Sequence, residues 1–262
     1  MKITDFAAFK KAGRRISMIT AYDYSMARIA ASSSVDCVLV GDSAAMVMHG
    51  HESTIAATPE LMAAHTAAVA RGAKTKFIVA DMPFLSLRSG LPAAMSCAGE
   101  LLRAGADAVK LEGVDGHEAV IKALVHADIP VVGHVGLTPQ SICRLGSYRV
   151  QGRGAAQAKK ILAQAVRLQK LGCFAIVAEC VPSALARRMS ALLSIPVIGI
   201  GSGPHTDGQV LVLHDVLGLY PDFSPKFAKR YCDGAGLFAR ALSAFDGDVK
   251  RGRFPAREHE CA

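Results

Sequence analysis

Eight short apolar runs alternate with longer stretches of helical periodicity along nearly the whole chain. The runs are Ile16–Ala21, Cys37–Asp42, Phe77–Asp81, Asp107–Gly113, Pro130–Val135, Phe174–Glu179, Pro196–Gly201 and the shorter Gln209–Val212. Helical spacing fills Tyr24–Ser32, Pro59–Arg71, Pro92–Ala104, His117–His126, Ala155–Leu171 and Pro182–Leu193. Thr58 is placed to cap the second of these, with Pro59 at its first position. Strand runs separated by helices predict parallel strands covered on both faces, and eight of them fit a (β/α)8 TIM-type barrel better than an open sheet. Pro225–Gly247 reads as extra C-terminal helices. No linker interrupts the series, so 1–262 is expected to be a single α/β catalytic domain.

Composition narrows the function classes. At 51% hydrophobic and 20% charged, the chain has ample core material. No run approaches the roughly 18 apolar residues of a membrane span. Met1–Arg15 lacks a signal pattern, so a cytoplasmic protein is expected. Seven cysteines, with no C-x-x-C spacing, read as reduced packing residues. The net charge of +8 is spread along helical faces, and aromatics for base stacking are few. That argues against nucleic acid as a partner and suits a field that attracts an anionic small substrate.

In Asp107–Gly113, Val109 and Leu111 alternate with Lys110 and Glu112. A strand covered by helices keeps both faces from water, so an ammonium and a carboxylate would point into the interior. Buried charges persist only when paired, hydrogen-bonded or bound to a metal. Other strands repeat the pattern at the same end. Parity puts Asp42 on a face with Val38 and Val40, Asp81 with Phe77 and Val79, His134 with Val132, and Glu179 with Ala175 and Val177. Catalytic residues of such barrels come from the C-terminal ends of several strands. Each residue alone also has a structural reading: a loop cap for Asp42 or Asp81, a core histidine for His134, a partner of a helix-borne arginine for Glu179. Together they point to a functional constellation.

Asp42, Asp81 and Glu112 beside Lys110 and His134, with no cysteine at a strand end, suggest a hard divalent cation such as Mg2+. Such a site suits a 2-oxo acid, whose carboxylate and ketone oxygens chelate metal while a nearby base, Glu179, removes an adjacent proton. Gly199-Ile200-Gly201-Ser202-Gly203 follows the seventh run. It is either a phosphate loop or, the reading we favour, a tight turn that lets a neighbour approach closely.

An ordered set of motifs spans the chain: Thr20-Ala21-Tyr22-Asp23, Val40-Gly41-Asp42-Ser43, Asp81-Met82-Pro83-Phe84, Val109–Gly113 and Gly133–Gln140, then Val150-Gln151-Gly152, Glu179, Asp207-Gly208-Gln209 and Pro225–Arg230. This set resembles the ketopantoate hydroxymethyltransferase family. The resemblance implies an enzyme of pantothenate biosynthesis, Mg2+-dependent, that moves a hydroxymethyl group from 5,10-methylenetetrahydrofolate to 3-methyl-2-oxobutanoate. It implies metal ligation by Asp42, Asp81 and Glu112, substrate contacts from Asp42, Ser43, Asp81, Lys110 and His134, and Glu179 as the catalytic base. It also implies a homo-oligomer, often a decamer. Loops 48–57 and 86–96, Ser202 and Thr206 depart from the family pattern. Two rivals are another Mg2+-dependent 2-oxo-acid lyase or mutase barrel, and a basic, non-catalytic nucleic-acid-binding barrel. The first is weakened because the chain lacks the cysteine-bearing loop of such lyases.

Overall fold

Each apolar run becomes a strand because its β-branched residues suit a pleated surface and Gly, Pro or a capped helix ends it. The computed structural model describes residues 1–220 and 225–261. Two compact units divide the chain, Met1–Val212 and Leu213–Ala262.

The first unit runs α1 (Ile3–Lys11), β1 (Ile16–Thr20), α2 (Tyr24–Ser32), β2 (Cys37–Val40), α3 (Ala44–Val47), α4 (Pro59–Gly72), β3 (Phe77–Asp81) and α5 (Leu91–Arg103). It continues with β4 (Ala108–Glu112), α6 (Glu118–His126), β5 (Val131–Gly136), α7 (Ile142–Leu145), α8 (Ala155–Lys170), β6 (Ala175–Glu179), α9 (Ser183–Leu192), β7 (Val197–Ile200) and β8 (Gly208–Leu211). The strands are all parallel and close in sequence order, with β8 pairing back onto β1. The barrel is therefore complete within this unit. Asp23 accepts a hydrogen bond from the Met26 amide at the start of α2, and Thr58 does the same for Leu61 ahead of Pro59 in α4.

Alternation decides what fills the cylinder. Ile16, Met18, Cys37, Leu39, Phe77, Val79, Val132, Val177 and Ile198 share one buried cluster inside it. The partner set on each strand faces the helices; a Cβ on Gly133, for instance, would meet Leu168 of α8 at 2.8 Å. The N-terminal mouth is stopped by α1. Its fully buried Phe6 packs edge-on against Phe77 and Phe174, with ring centroids 5.2 and 4.9 Å away. Lys10 of α1 binds Asp207 at 2.7 Å, and that carboxylate also accepts from Ser190 Oγ and the Val197 amide. Asp207 thus ties the closed end together.

The glycines after β7 serve close approach. Gly201 and Gly203 have φ of 61° and 76°, and a Cβ on Gly203 would lie 2.4 Å from Ser183 Oγ.

The second unit holds α10 (Leu213–Leu217) and α11 (Gly234–Lys250). Helix was expected from Pro225, but it begins only at Gly234. The Tyr231 amide donates to Val216 O at 2.8 Å, which holds that stretch apart from a helix, and Asp233 caps α11 by accepting from the Gly236 amide. The expected helical stretch runs to Gly247 and includes no residue of 221–224, which lie outside the described residues. Among the described residues no helix is long and apolar enough to cross a membrane.

Candidate active site

Strand register gathers the polar residues at the barrel's C-terminal mouth. Asp81 stands opposite Lys110 across β3 and β4, and Glu112 stands opposite His134 across β4 and β5. Glu179 ends β6 beside Gly136. All of these lie on the strand face that lines the cylinder, in line with Val79, Ala108, Val132 and Val177 of the interior cluster.

Asp42 arrives differently. Cys37 and Leu39 are the inward residues of β2, so Val38 and Val40 face the helices and do not share the interior with Asp42. The expected parity fails because β2 ends at Val40. The chain then turns through Gly41, where a Cβ would meet Ser43 Oγ at 2.7 Å, and this turn swings Asp42 into the mouth. There its backbone amide donates to Asp81 Oδ2 at 3.0 Å. Ser43 Oγ lies 2.8 Å from the Tyr22 hydroxyl.

The cluster is almost sealed from water. Lys110 Nζ is 3.0 Å from Asp81 Oδ1, close enough for charge attraction though off the angle of a hydrogen bond. It is also 3.2 Å from His134 Nδ1. His134 bridges two carboxylates, with Nδ1 3.5 Å from Glu112 Oε1 and Nε2 3.3 Å from Glu179 Oε2. Burial pulls the Lys110 ammonium down, but Asp81, Glu112 and Asp42 outweigh it and hold it above its ordinary value. His134 is lowered by burial and by Lys110, yet Glu112 and Glu179 prevail and push it up to about 9. Burial, then the charges of Asp81 and Glu112, push Asp42 well above the usual carboxylate range. Burial also raises Asp81, against the opposing pull of Lys110.

Two residues escaped the reading of strand ends. Tyr22 is fully buried beside Ser43, and burial raises its phenol. It continues the inward parity of Met18 and Thr20 past the end of β1, so alternation could have found it. Gln140 sits in the loop after β5, where no periodicity operates. Its amide nitrogen donates to Asp42 Oδ2 at 2.8 Å and to Met82 O at 2.9 Å, while its backbone amide donates to Glu112 Oε2 at 3.0 Å. One glutamine thereby fixes two carboxylates on different strands.

Among the described residues the four acidic side chains Asp42, Asp81, Glu112 and Glu179 gather around two basic ones, Lys110 and His134. Glu112 Oε1 is buried without a hydrogen bond. Among the described residues no three His, Cys, Asp or Glu side chains are drawn together tightly enough to enclose a metal ion unaided. The linked pair Asp42 and Asp81 nevertheless fits Mg2+, which takes one or two carboxylates and fills its shell with water and substrate oxygens. Oxygen-only donors match a hard dication.

By shape the chain resembles a phosphonopyruvate hydrolase solved with oxalate and Mg2+, at a TM-score of 0.66 and 11% identity over 100% of this chain and 92% of the other. A 2,3-dimethylmalate lyase gives 0.60 and 16% over 99% and 91%. These likenesses establish the barrel alone. By sequence, a 3-methyl-2-oxobutanoate hydroxymethyltransferase from Coxiella burnetii (strain Dugway 5J108-111) is 51% identical, covering 100% of this chain and 98% of its own. One from Legionella pneumophila subsp. pneumophila (strain Philadelphia 1) is 52% identical over 99% of each. The model of the ketopantoate hydroxymethyltransferase family matches residues 1–257. Fold likeness alone leaves hydrolase, lyase and transferase open, but half-identity along the full chain does not: the protein belongs to the ketopantoate hydroxymethyltransferase family, a family of transferases.

Proposed function

We propose that the chain transfers a hydroxymethyl group from 5,10-methylenetetrahydrofolate to 3-methyl-2-oxobutanoate, giving 2-dehydropantoate, with Mg2+ held at the barrel mouth. One observation carries the assignment of the base. The Glu179 side chain is 16% exposed, whereas those of Asp81, Lys110, Glu112 and His134 are 5% or less. A carboxylate that must reach a substrate carbon has to be the accessible one.

Asp42 and Asp81 are the residues that hold the ion, and Glu112 completes the site directly or through water. When bound, Mg2+ supplies Lewis-acid polarisation of the 2-oxo acid. Lys110, pinned by Asp81, and Ser43, pinned by Tyr22, flank the oxo acid with Asp42, and His134 lies nearby. Glu179 takes the proton from the carbon beside the ketone. The His134 ring, with Nε2 at 3.3 Å, orients that carboxylate. The resulting carbon nucleophile forms the new C–C bond to the donor's methylene carbon; both C–N bonds of the methylene bridge break, water supplies the product hydroxyl, and tetrahydrofolate leaves with both nitrogens protonated, one proton coming from the substrate carbon and one from water. Small molecules are the partners in this reading, and a cytoplasmic homo-oligomer, decameric by family pattern, belongs to the same proposal.

Product formation from the oxo acid and the folate donor tests it. Turnover should require both substrates, stop with EDTA and return with added Mg2+. Turnover indifferent to chelator would remove the metal, and no folate-dependent product would sink the reading.

A further inference from the structure

Two histidines on different elements face each other outside the acidic cluster. His65 lies in α4, three residues after Met62 and four before Val69, both fully buried, so it sits at the edge of the helix's inner stripe. There its Nδ1 stands 2.5 Å from the Tyr22 carbonyl oxygen. His49 follows α3 in loop 48–57, and Gly50 closes the turn with a φ of 71° and an amide that donates to Met46 O at 3.0 Å. The two Nε2 atoms are 2.9 Å apart, and the rings cross at 69°.

A carbonyl oxygen only accepts, so in the neutral ring the Tyr22 contact puts the His65 proton on Nδ1 and leaves a lone pair on Nε2. His49 Nε2–H donates to that lone pair. The His49 side chain is exposed, and its ring makes no other hydrogen bond among the described residues. An imidazole that donates one nitrogen to a backbone carbonyl and presents the other outward is prepared for a metal ion. With metal–nitrogen bonds of about 2.0–2.1 Å, two ligand nitrogens stand about 2.9 Å apart at a right angle and about 3.3 Å apart at the tetrahedral angle. The observed 2.9 Å matches the right angle. Imidazole nitrogens favour nickel, copper or zinc, and the right angle selects Ni2+ or Cu2+ among them. No third His, Cys, Asp or Glu closes around the pair among the described residues, so water has to fill the other positions.

We propose that His49 and His65 form a metal site apart from the carboxylate cluster, one that takes a borderline transition-metal dication such as Ni2+ through two imidazole nitrogens and water. Binding turns the exposed His49 side chain, moves its proton from Nε2 to Nδ1 and replaces one hydrogen bond by two metal–nitrogen bonds, with no change of oxidation state. One residue joins this site to the mouth of the barrel: Tyr22 takes the His65 hydrogen bond on its carbonyl and holds Ser43 through its hydroxyl at 2.8 Å.

Calorimetric titration of the full protein with NiCl2, in excess MgCl2 so that the carboxylates are already served, tests the site. Ni2+ should bind at one site per chain. His49→Ala, at an exposed loop position, should weaken it at least about tenfold, since changes to mere outer-shell partners cost about 10–100-fold and this one removes a ligand. His65→Ala should do the same, with far-ultraviolet circular dichroism confirming the fold. In nitrogen-15 spectra of the histidine rings, diamagnetic Zn2+ should shift the Nε2 signals of both residues. Ni2+ affinity within twofold of wild type in His49→Ala overturns the proposal, as it would if an exposed thiol such as Cys143 carried the ion. Failure of the wild type to take up Ni2+ overturns it equally.

Discussion

His134 Nε2 stands 3.3 Å from Glu179 Oε2, and the two side chains reach each other from neighbouring strands whose register sets Val177 opposite His134. The same ring turns Nδ1 towards Glu112 and Lys110. A single imidazole therefore joins the accessible carboxylate to the buried charges behind it.

Glu179→Gln keeps the shape and removes the base. Deuterium exchange at the carbon beside the ketone of 3-methyl-2-oxobutanoate should fall roughly 10²–10⁴-fold, the range for a positioned general base. Exchange at the wild-type rate, read by proton NMR, would take Glu179 out of that role.

His134 makes the metal-free protein pH-sensitive. Its folded value of about 9 lies above the ordinary 6.5, so its contribution is complete below about pH 6.5 and is lost as pH rises through about 9. Urea unfolding in EDTA should show a fall over that window of at most ~3 kcal/mol, from ~1.4 kcal/mol per pH unit. His134→Gln should flatten it; an identical slope in the variant would refute the assignment.

Asp42 is raised by burial and by its acidic neighbours, so its charge is a burden on the metal-free fold at neutral pH. Asp42→Asn can still accept from Gln140 and should melt higher than wild type in EDTA. The wild type should gain stability on adding Mg2+ by mass action, and the variant should gain little. A thermal-shift titration separates these outcomes: an undiminished Mg2+ response in Asp42→Asn would remove it from the ligand set.

Gly136 controls the placement of the base from the neighbouring strand. Its φ is 97°, and a Cβ there would lie 2.2 Å from the Glu179 carbonyl oxygen. Gly136→Ala should cost about 2–4 kcal/mol of stability and slow exchange in the fraction that folds. Wild-type exchange and stability together would show the backbone yields there at no cost.

How much of this was readable along the chain depends on the kind of residue. Asp81, Lys110, Glu112, His134 and Glu179 sit within or at the end of regular strands, where alternation reports the facing of a side chain before any contact is known. Asp42 was legible as a member but not by the right route, because alternation stops at Val40 and a turn carries it inward. Gln140 lies outside strands and carries no periodic signal. Helix α1 was passed over because its short N-terminal stretch shows a modest apolar stripe, and its role depends on Phe6 meeting Phe77 and Phe174.

From the order of its residues alone, the chain determined its strands, their helical cover, the strand–helix alternation and the polar residues at the C-terminal ends of five strands, β2 to β6. These follow from local steric preference and two-residue periodicity, which act over a few neighbouring positions. Only the folded chain decided that β8 closes onto β1, that Gln140 spans Asp42 and Glu112, and that His134 lies between two carboxylates. Those facts depend on strand register and loop path, and so on distances between residues far apart in sequence. Charge acts through such distances, which is why the protonation of His134 and the burden on Asp42 emerge only in the tertiary structure.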